Sequence, residues 1–235
     1  MEALKEPEDD ELNFLRTLLG QGRFEDLAES CTLMLKKFPD SSKLHNIQGI
    51  ANHGLAEFDQ AIICYEKALM ANSNYGEAYN NMGNTFKIKG EISRAIESFQ
   101  KAIALKPEFA EAYNNMGATY QASGEYNQAI SLFQKAINRK NDFVDAYINK
   151  GNVLRDIGDI NSSIKDFLKA LEIDPSSADA YFSIGLTLRD KGRFEEAIIN
   201  FEKAIKIKPE YFEAYNFMGN ALKSIGRTER AIYIF

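Results

Sequence analysis

A glycine recurs every 34 residues along this chain, at Gly49, Gly83, Gly117, Gly151, Gly185 and Gly219. A second column follows seven residues behind it: Gly90, Gly124, Gly158, Gly192 and Gly226. Gly22 extends that column backward, and Ala56 is its one small substitute. Tyr79, Tyr113, Tyr147, Tyr181 and Tyr215 keep the same period, as do Phe99, Phe133, Phe167, Phe201 and Phe235, with Tyr65 in line. A fixed period of this length marks a stack of identical supersecondary units, each of which buries its apolar face only against its neighbours. With the first glycine column at position 8, the units run 8–41, 42–75, 76–109, 110–143, 144–177 and 178–211. The last, 212–235, stops at position 24, and residues 1–7 form an acidic tail.

Spacing within a unit predicts two helices. Positions 4, 7, 8 and 11 share one face of the first, helix A; in one unit these are Tyr113, Met116, Gly117 and Tyr120. Glycine inside a helix costs about 1 kcal/mol, so its recurrence predicts a close approach by the second helix, B. The small residue expected opposite it is at position 20: Ala61, Ala95, Ala129, Ala197 and Ala231. The position-24 ring, Ala at position 27 (Ala68, Ala102, Ala136, Ala170 and Ala204) and Leu or Ile at position 28 complete a buried face of helix B. The position-15 glycine suits the left-handed end of helix A. Pro39, Pro107, Pro175 and Pro209 stop helix B.

The pattern Tyr-x-x-Met-Gly-x-x-Tyr followed by Ala, Phe, Ala and Pro resembles the tetratricopeptide repeat (TPR) family, with Tyr where that family often has Trp. The resemblance is good over residues 42–235 and implies an all-α TPR solenoid of stacked antiparallel helix hairpins, wound as a right-handed superhelix. Unit 8–41 departs from it, with Glu11, Leu15 and Leu27 at the Tyr, Gly and Ala positions, and is read as a divergent capping repeat. Unit 144–177 carries Lys150 at position 7 and Ser163 at position 20. Looser packing is expected there, with the lysine stem over apolar surface and its charge in water. The stop at position 24 leaves the last hairpin uncovered, so the chain is expected to be the N-terminal part of a longer protein. The alternative is self-association through the open C-terminal end.

The resemblance implies that helix A lines a concave groove, into which positions 2, 5, 6, 9, 12 and 13 point. Position 2 is acidic (Glu77, Glu111, Asp145, Asp179, Glu213) and position 12 mostly basic (Lys87, Gln121, Arg155, Arg189, Lys223). Both rows also suit the helix macrodipole. Between them lie Asn80, Asn81, Asn84, Asn114, Asn115, Asn149, Asn152, Asn216 and Asn220. Asparagine is a mediocre helix former, so its repetition calls for a reason. Position 6 (Asn81, Asn115, Asn149) resembles the asparagine ladder of O-linked N-acetylglucosamine transferases, which implies pairing with a peptide backbone. The row breaks at Ile47, Ser183 and Phe217. A second reading has these amides bonding to neighbouring helices. Toward the C-terminus Ile148, Phe182, Leu186 and Phe217 turn the face apolar, as anchor pockets or as contacts to a further domain. The two-carboxylate clamp of chaperone-binding relatives is disfavoured, because Asn80 and Asp145 stand where it places lysines.

The expected ligand is therefore an extended peptide or protein segment. Similar repeats resemble those fused to glycosyltransferase or sulfotransferase domains, so a substrate-recruiting arm of a larger transferase is the alternative. No catalytic residues, cofactor or metal are expected within the sequence. His45 and His53 sit about 80° apart around one helix, His45 in the aromatic column, and neither makes a metal pair. No phosphate-binding glycine motif occurs, and the Asn161-Ser162-Ser163 triplet is read as incidental. A net charge of -6 and a pI near 5.2 argue against nucleic acid. Cys31 and Cys64 make no disulfide framework, Cys31 being read as core. With neither a signal-like start nor an apolar run long enough for a bilayer, a cytoplasmic setting without membrane contact is expected.

Overall fold

The structure, a computed structural model, describes residues 6–227. Ala231, Phe235, the rest of the last unit beyond Arg227 and the first five residues of the acidic tail lie outside the described residues. Thirteen α-helices and no strand occur among the described residues. They fall into two compact units, one up to Thr119 and one from Tyr120. The first holds α1 (Asp9–Gly20), α2 (Phe24–Leu35), α3 (Ser42–Gly54), α4 (Phe58–Ala71), α5 (Gly76–Ile88), α6 (Ile92–Leu105) and most of α7 (Ala110–Ala122). The second holds α8 (Tyr126–Arg139), α9 (Val144–Asp156), α10 (Ile160–Ile173), α11 (Ala178–Asp190), α12 (Phe194–Ile207) and α13 (Phe212–Ser224). From α3 on, A helices of 13 residues alternate with B helices of 14. Hairpin partners pack antiparallel: α3 with α4 and α5 with α6 in the first unit, α9 with α10 and α11 with α12 in the second.

Each A helix ends as the second glycine column requires. Gly90, Gly124, Gly158, Gly192 and Gly226 have φ between 75° and 87° or close to it, at 73° in Gly192. Gly90 N–H donates to Lys87 O at 3.1 Å and Glu91 N–H to Phe86 O at 2.9 Å, the paired bonds that satisfy a helix's last carbonyls. Ala56 adopts the same left-handed conformation at φ 60°, where its Cβ is strained. Helix B stops at an extended residue, such as Lys106 or Asp174, before Pro107 or Pro175. Asn72 and Lys140 turn the same way before Ser73 and Asn141, so proline reinforces this exit without being required for it.

The position-24 rings form the spine of each unit: Tyr65 is 1% exposed, and Phe99, Phe133, Phe167 and Phe201 are 0%. The partner of the position-8 glycine differs from expectation. A Cβ on Gly49, Gly83, Gly151 or Gly185 would lie 2.5–2.7 Å from the ring of Tyr65, Phe99, Phe167 or Phe201. The glycine accommodates the ring at position 24, and the position-20 alanines are buried without facing it most closely. The buried face of helix A is also wider than the sequence indicates. Leu44, Ala78, Ala112, Ala146, Ala180 and Ala214 at position 3 are fully buried, as are Thr85, Thr119, Val153 and Thr187 at position 10. Those threonines donate back to the carbonyls of Asn81, Asn115 and Ser183 at 2.8–3.0 Å, so their hydroxyls enter the core satisfied. The position-4 tyrosines are mostly half-buried. Lysines at position 26 cover them, with Lys101 Nζ 5.7 Å from the Tyr79 ring centre and Lys203 Nζ 5.1 Å from that of Tyr181.

Lys150 corrects a second expectation, since its charge is not in water. Its ammonium pairs with Asp166 at 3.2 Å and donates to Gln134 Oε1 at 2.8 Å, and the two charged side chains are 13% and 12% exposed. Asp166 Oδ2 and Ser163 Oγ are buried there without a partner. The divergent first hairpin packs Leu12, Leu15 and Leu18 against Leu27 and the expected core residue Cys31. The Glu6 carboxylate accepts from both hydroxyls of Ser41 and Ser42 and from the Ser42 amide at the start of α3.

Candidate functional site

The candidate site is the A-helix face within each compact unit. In the first unit its amides form cross-helix pairs. Asn81 Nδ2 donates to Asn46 Oδ1 and Asn115 Nδ2 donates to Asn80 Oδ1, each at 3.0 Å. A position-6 amide thus reaches the position-5 amide of the preceding A helix. Asn46, Asn80 and Asn114 are correspondingly buried, so within the expected amide floor Asn80 and Asn114 lie beneath the surface. For Asn81 and Asn115 the second reading, bonding to a neighbouring helix, accounts for one amide hydrogen. Asn149 is engaged as well. Asn84, at position 9, is half-buried and has no hydrogen-bond partner among the described residues.

Lys87, Arg155 and Arg189 of the basic row are half-buried, while Lys223 is exposed. His53 Nδ1 lies 2.8 Å from Thr85 Oγ1, and its ring meets Phe58 edge-on at 5.6 Å. Because Thr85 donates its hydroxyl hydrogen to Asn81 O, His53 is the donor in that contact. Burial and the nearby Lys87 charge hold His53 below the usual histidine range, and burial lowers Lys87 as well. His45, in the aromatic column, is half-buried with Nε2 2.8 Å from Pro39 O.

In the second unit Asn152 is half-buried, and its Oδ1 is closed off from solvent without a partner. Arg155 pairs with Asp156 at 3.0 Å and Arg189 with Asp190 at 2.6 Å. The Arg189 guanidinium lies 4.6 Å above the Phe217 ring. Phe182 packs on Tyr211 at 4.8 Å and on Phe217 at 5.7 Å, and Ile148 is 8% exposed. These apolar residues form a packed, half-buried cluster with Phe201 below. Asn220 is exposed and donates to Asn216 at 3.3 Å.

One column of this face went unrecognised in the sequence. Tyr75, Phe109, Phe143 and Tyr211 stand at position 34, just before helix A, and all are half-buried. Tyr75 Oη accepts from Asn46 Nδ2 at 3.4 Å, while Tyr211 Oη donates to Asp179 Oδ1 at 2.8 Å. The period carried the signal, interrupted only by Ser177, but its place in a loop directed attention elsewhere. Position-31 lysines hold this edge: Lys140 and Lys208 lie 5.0 and 4.7 Å over Phe143 and Tyr211, and Lys106 pairs with Glu77. The acidic row is therefore partly neutralised in place.

Among the described residues no group of three or more His, Cys, Asp or Glu is arranged to hold a metal, and no helix is long and apolar enough to cross a membrane. Cys31 is buried, and burial pushes its thiol up to about 12; burial also raises Cys64.

The helices thus define an all-α repeat protein with a polar, aromatic-edged A-helix face. Sequence comparison gives the family: TPR repeat matches cover residues 83–124, 151–188 and 185–226, and tetratricopeptide repeat matches cover 110–143 and 42–75. The chain belongs to the tetratricopeptide repeat family. A crystal structure of MamA is 33% identical, with a TM-score of 0.60 over 70% of this chain and 96% of that one. YrrB, described as a TPR protein with an unusual peptide-binding site, is 24% identical at TM-score 0.58, over 80% of this chain and 97% of that one. PilW, described as a widely conserved type IV pilus biogenesis factor, is 19% identical at TM-score 0.75, over 82% of this chain and 90% of that one. The last two likenesses concern the fold alone. Among curated proteins none matches the sequence.

Proposed function

We propose that this chain is a protein-interaction scaffold whose A-helix face holds an extended segment of a partner protein. The observation that carries this reading is the unused hydrogen-bonding capacity of that face. Asn84 is half-buried and has both ends of its amide available among the described residues. An amide offers a donor and an acceptor together, which matches the alternating groups of an extended backbone without demanding a sequence. The half-buried aromatic edge at position 34 adds apolar contact beside that amide.

The test uses an array of acetylated decapeptides, followed by calorimetric titration of those retained. In the Asn84→Ala variant, affinity falls by about 0.5–1.5 kcal/mol, the worth of one hydrogen bond, while the melting curve is preserved. Undiminished affinity in that variant refutes a role for the amide. An array that retains no peptide refutes the reading as a whole. Asn81 and Asn115 are poorer targets, since removing either also breaks a pair between helices.

A further inference from the structure

Four lysine or arginine residues are half-buried among the described residues: Lys87, Lys150, Arg155 and Arg189. Three of them have a carboxylate. Lys150 pairs with Asp166, Arg155 with Asp156 and Arg189 with Asp190. Lys87 alone has neither an ion pair nor a hydrogen bond among the described residues. Lys87, Arg155 and Arg189 all occupy position 12 on the A-helix face, and the acids that neutralise the two arginines occupy position 13. In α5 that next residue is Ile88, an apolar side chain that is 54% exposed. Half-burying a cation without an opposite charge is unfavourable, and no carboxylate offsets the effect of burial on Lys87. In a chain with a net charge of -6, carboxylates are plentiful, so the vacancy is local and specific. One turn before Lys87 stands Asn84, whose amide is also unpartnered.

We propose that Lys87 receives a carboxylate from the bound segment, which makes the ligand of this face an acidic extended peptide. The proposal rests on the peptide-scaffold reading above and specifies its partner. The peptide's carboxylate takes the place that Asp156 and Asp190 fill in the later repeats. Asn84 bonds the peptide backbone beside it, and an apolar neighbour of the acidic residue lies on Ile88. His53 reports on the event: burial and, second to it, the Lys87 charge depress the imidazole, and an anion beside Lys87 cancels the second effect.

The same array separates the sources of the carboxylate. One set is amidated and carries Asp or Glu among Ala, Leu and Ser; a second has free C-termini and no acidic side chain; a third is amidated and neutral. Retention of the first set above the third assigns a side-chain carboxylate, and retention of the second alone assigns a chain terminus. The first result supports the proposal and the second overturns it. Lys87→Gln lowers affinity for the acidic probe about tenfold or more, the size of a charged hydrogen bond, and leaves neutral peptides unchanged. Lys87→Arg retains binding. Ile88→Asp keeps Lys87 but supplies the missing acid in the chain itself, so it lowers affinity for the acidic probe as Lys87→Gln does. In the wild-type chain the His53 imidazole titrates at higher pH in NMR when the acidic probe is added. Acidic peptides bound no more tightly than neutral ones, or undiminished by Lys87→Gln and Ile88→Asp, overturn the proposal while leaving the scaffold reading intact. An array that retains nothing overturns both.

Discussion

Gly185→Ala is the most direct probe of how these hairpins close. The added Cβ would lie 2.5, 2.7 and 3.0 Å from Phe201 Cε1, Cδ1 and Cζ. Carbon atoms pack best at about 3.5–4.0 Å, so the ring would have to retreat by roughly 1 Å. Phe201 is 0% exposed and backed by Phe182 and Phe217, with ring centres at 5.8 and 6.4 Å, so no space receives it. Overpacking of this kind costs about 1–3 kcal/mol, against which alanine returns about 1 kcal/mol of helix propensity. The net expectation is a loss of about 1 kcal/mol in urea unfolding followed by far-ultraviolet circular dichroism. In a Phe201→Leu background the outer ring atoms are gone, so Gly185→Ala becomes neutral or stabilising. The double-mutant cycle then shows a coupling of about 1–3 kcal/mol. Gly192→Ala is the control: its φ is 73° and nothing lies within 4 Å, so it costs about 1–2 kcal/mol through the backbone alone and Phe201→Leu does not rescue it. An additive cycle at Gly185, or a stabilising Gly185→Ala in the wild-type background, refutes the ring-to-glycine account.

Ala56→Gly is expected to stabilise the chain by about 0.5–1 kcal/mol in the same urea assay. Relief of left-handed strain, about 1–2 kcal/mol, outweighs the added freedom of the unfolded chain, about 0.4–1 kcal/mol. Replacing the polar set by Lys150→Met, Ser163→Ala and Asp166→Leu is expected to stabilise by about 1–4 kcal/mol at neutral pH, as for other half-buried ion pairs exchanged for apolar packing. Burial holds the Asp166 carboxyl above its ordinary 3.8, with Lys150 offsetting part of the effect. The folded state therefore binds this proton more tightly than the unfolded one, and wild-type stability gains from it as pH falls through the folded pKa toward 3.8. The advantage of the triple variant should shrink over that window; an advantage independent of pH excludes Asp166 ionisation as its source.

What the sequence disclosed depended on whether one physical demand or two acted on a position. The left-handed end of helix A tolerates little besides glycine, so five described glycines from Gly90 to Gly226 could be read directly, and Ala56 stood out as strained. The position-24 ring and position-8 glycine were equally visible, but which atoms met could not be deduced, because Ala at position 20 is just as small and just as regular. Position 3 stayed hidden because alanine is common on any helix face. Position 10 stayed hidden because threonine looks polar until its hydroxyl is seen bonding four residues back. Asparagine was the hardest case. Asn81 and Asn115 do occupy the A-helix face, yet each uses an amide hydrogen to join two helices, so their recurrence registers a packing demand as well as any binding one. A strict period accordingly reports what every repeat needs in order to stack, and a ligand contributes to it only where it too repeats. Departures from the period are freed from that averaging. Lys150 departs and brings its own counter-charge in Asp166, which closes its account within the fold. Position 13 keeps no period, reading Gly54, Ile88, Ala122, Asp156, Asp190 and Ser224, but Asp156 and Asp190 show what a half-buried cation beside it can use, and among the described residues Lys87 has no such partner. Lys150 finds a counter-charge inside the chain and Lys87 does not, so it is at Lys87 that a partner's chemistry can be inferred.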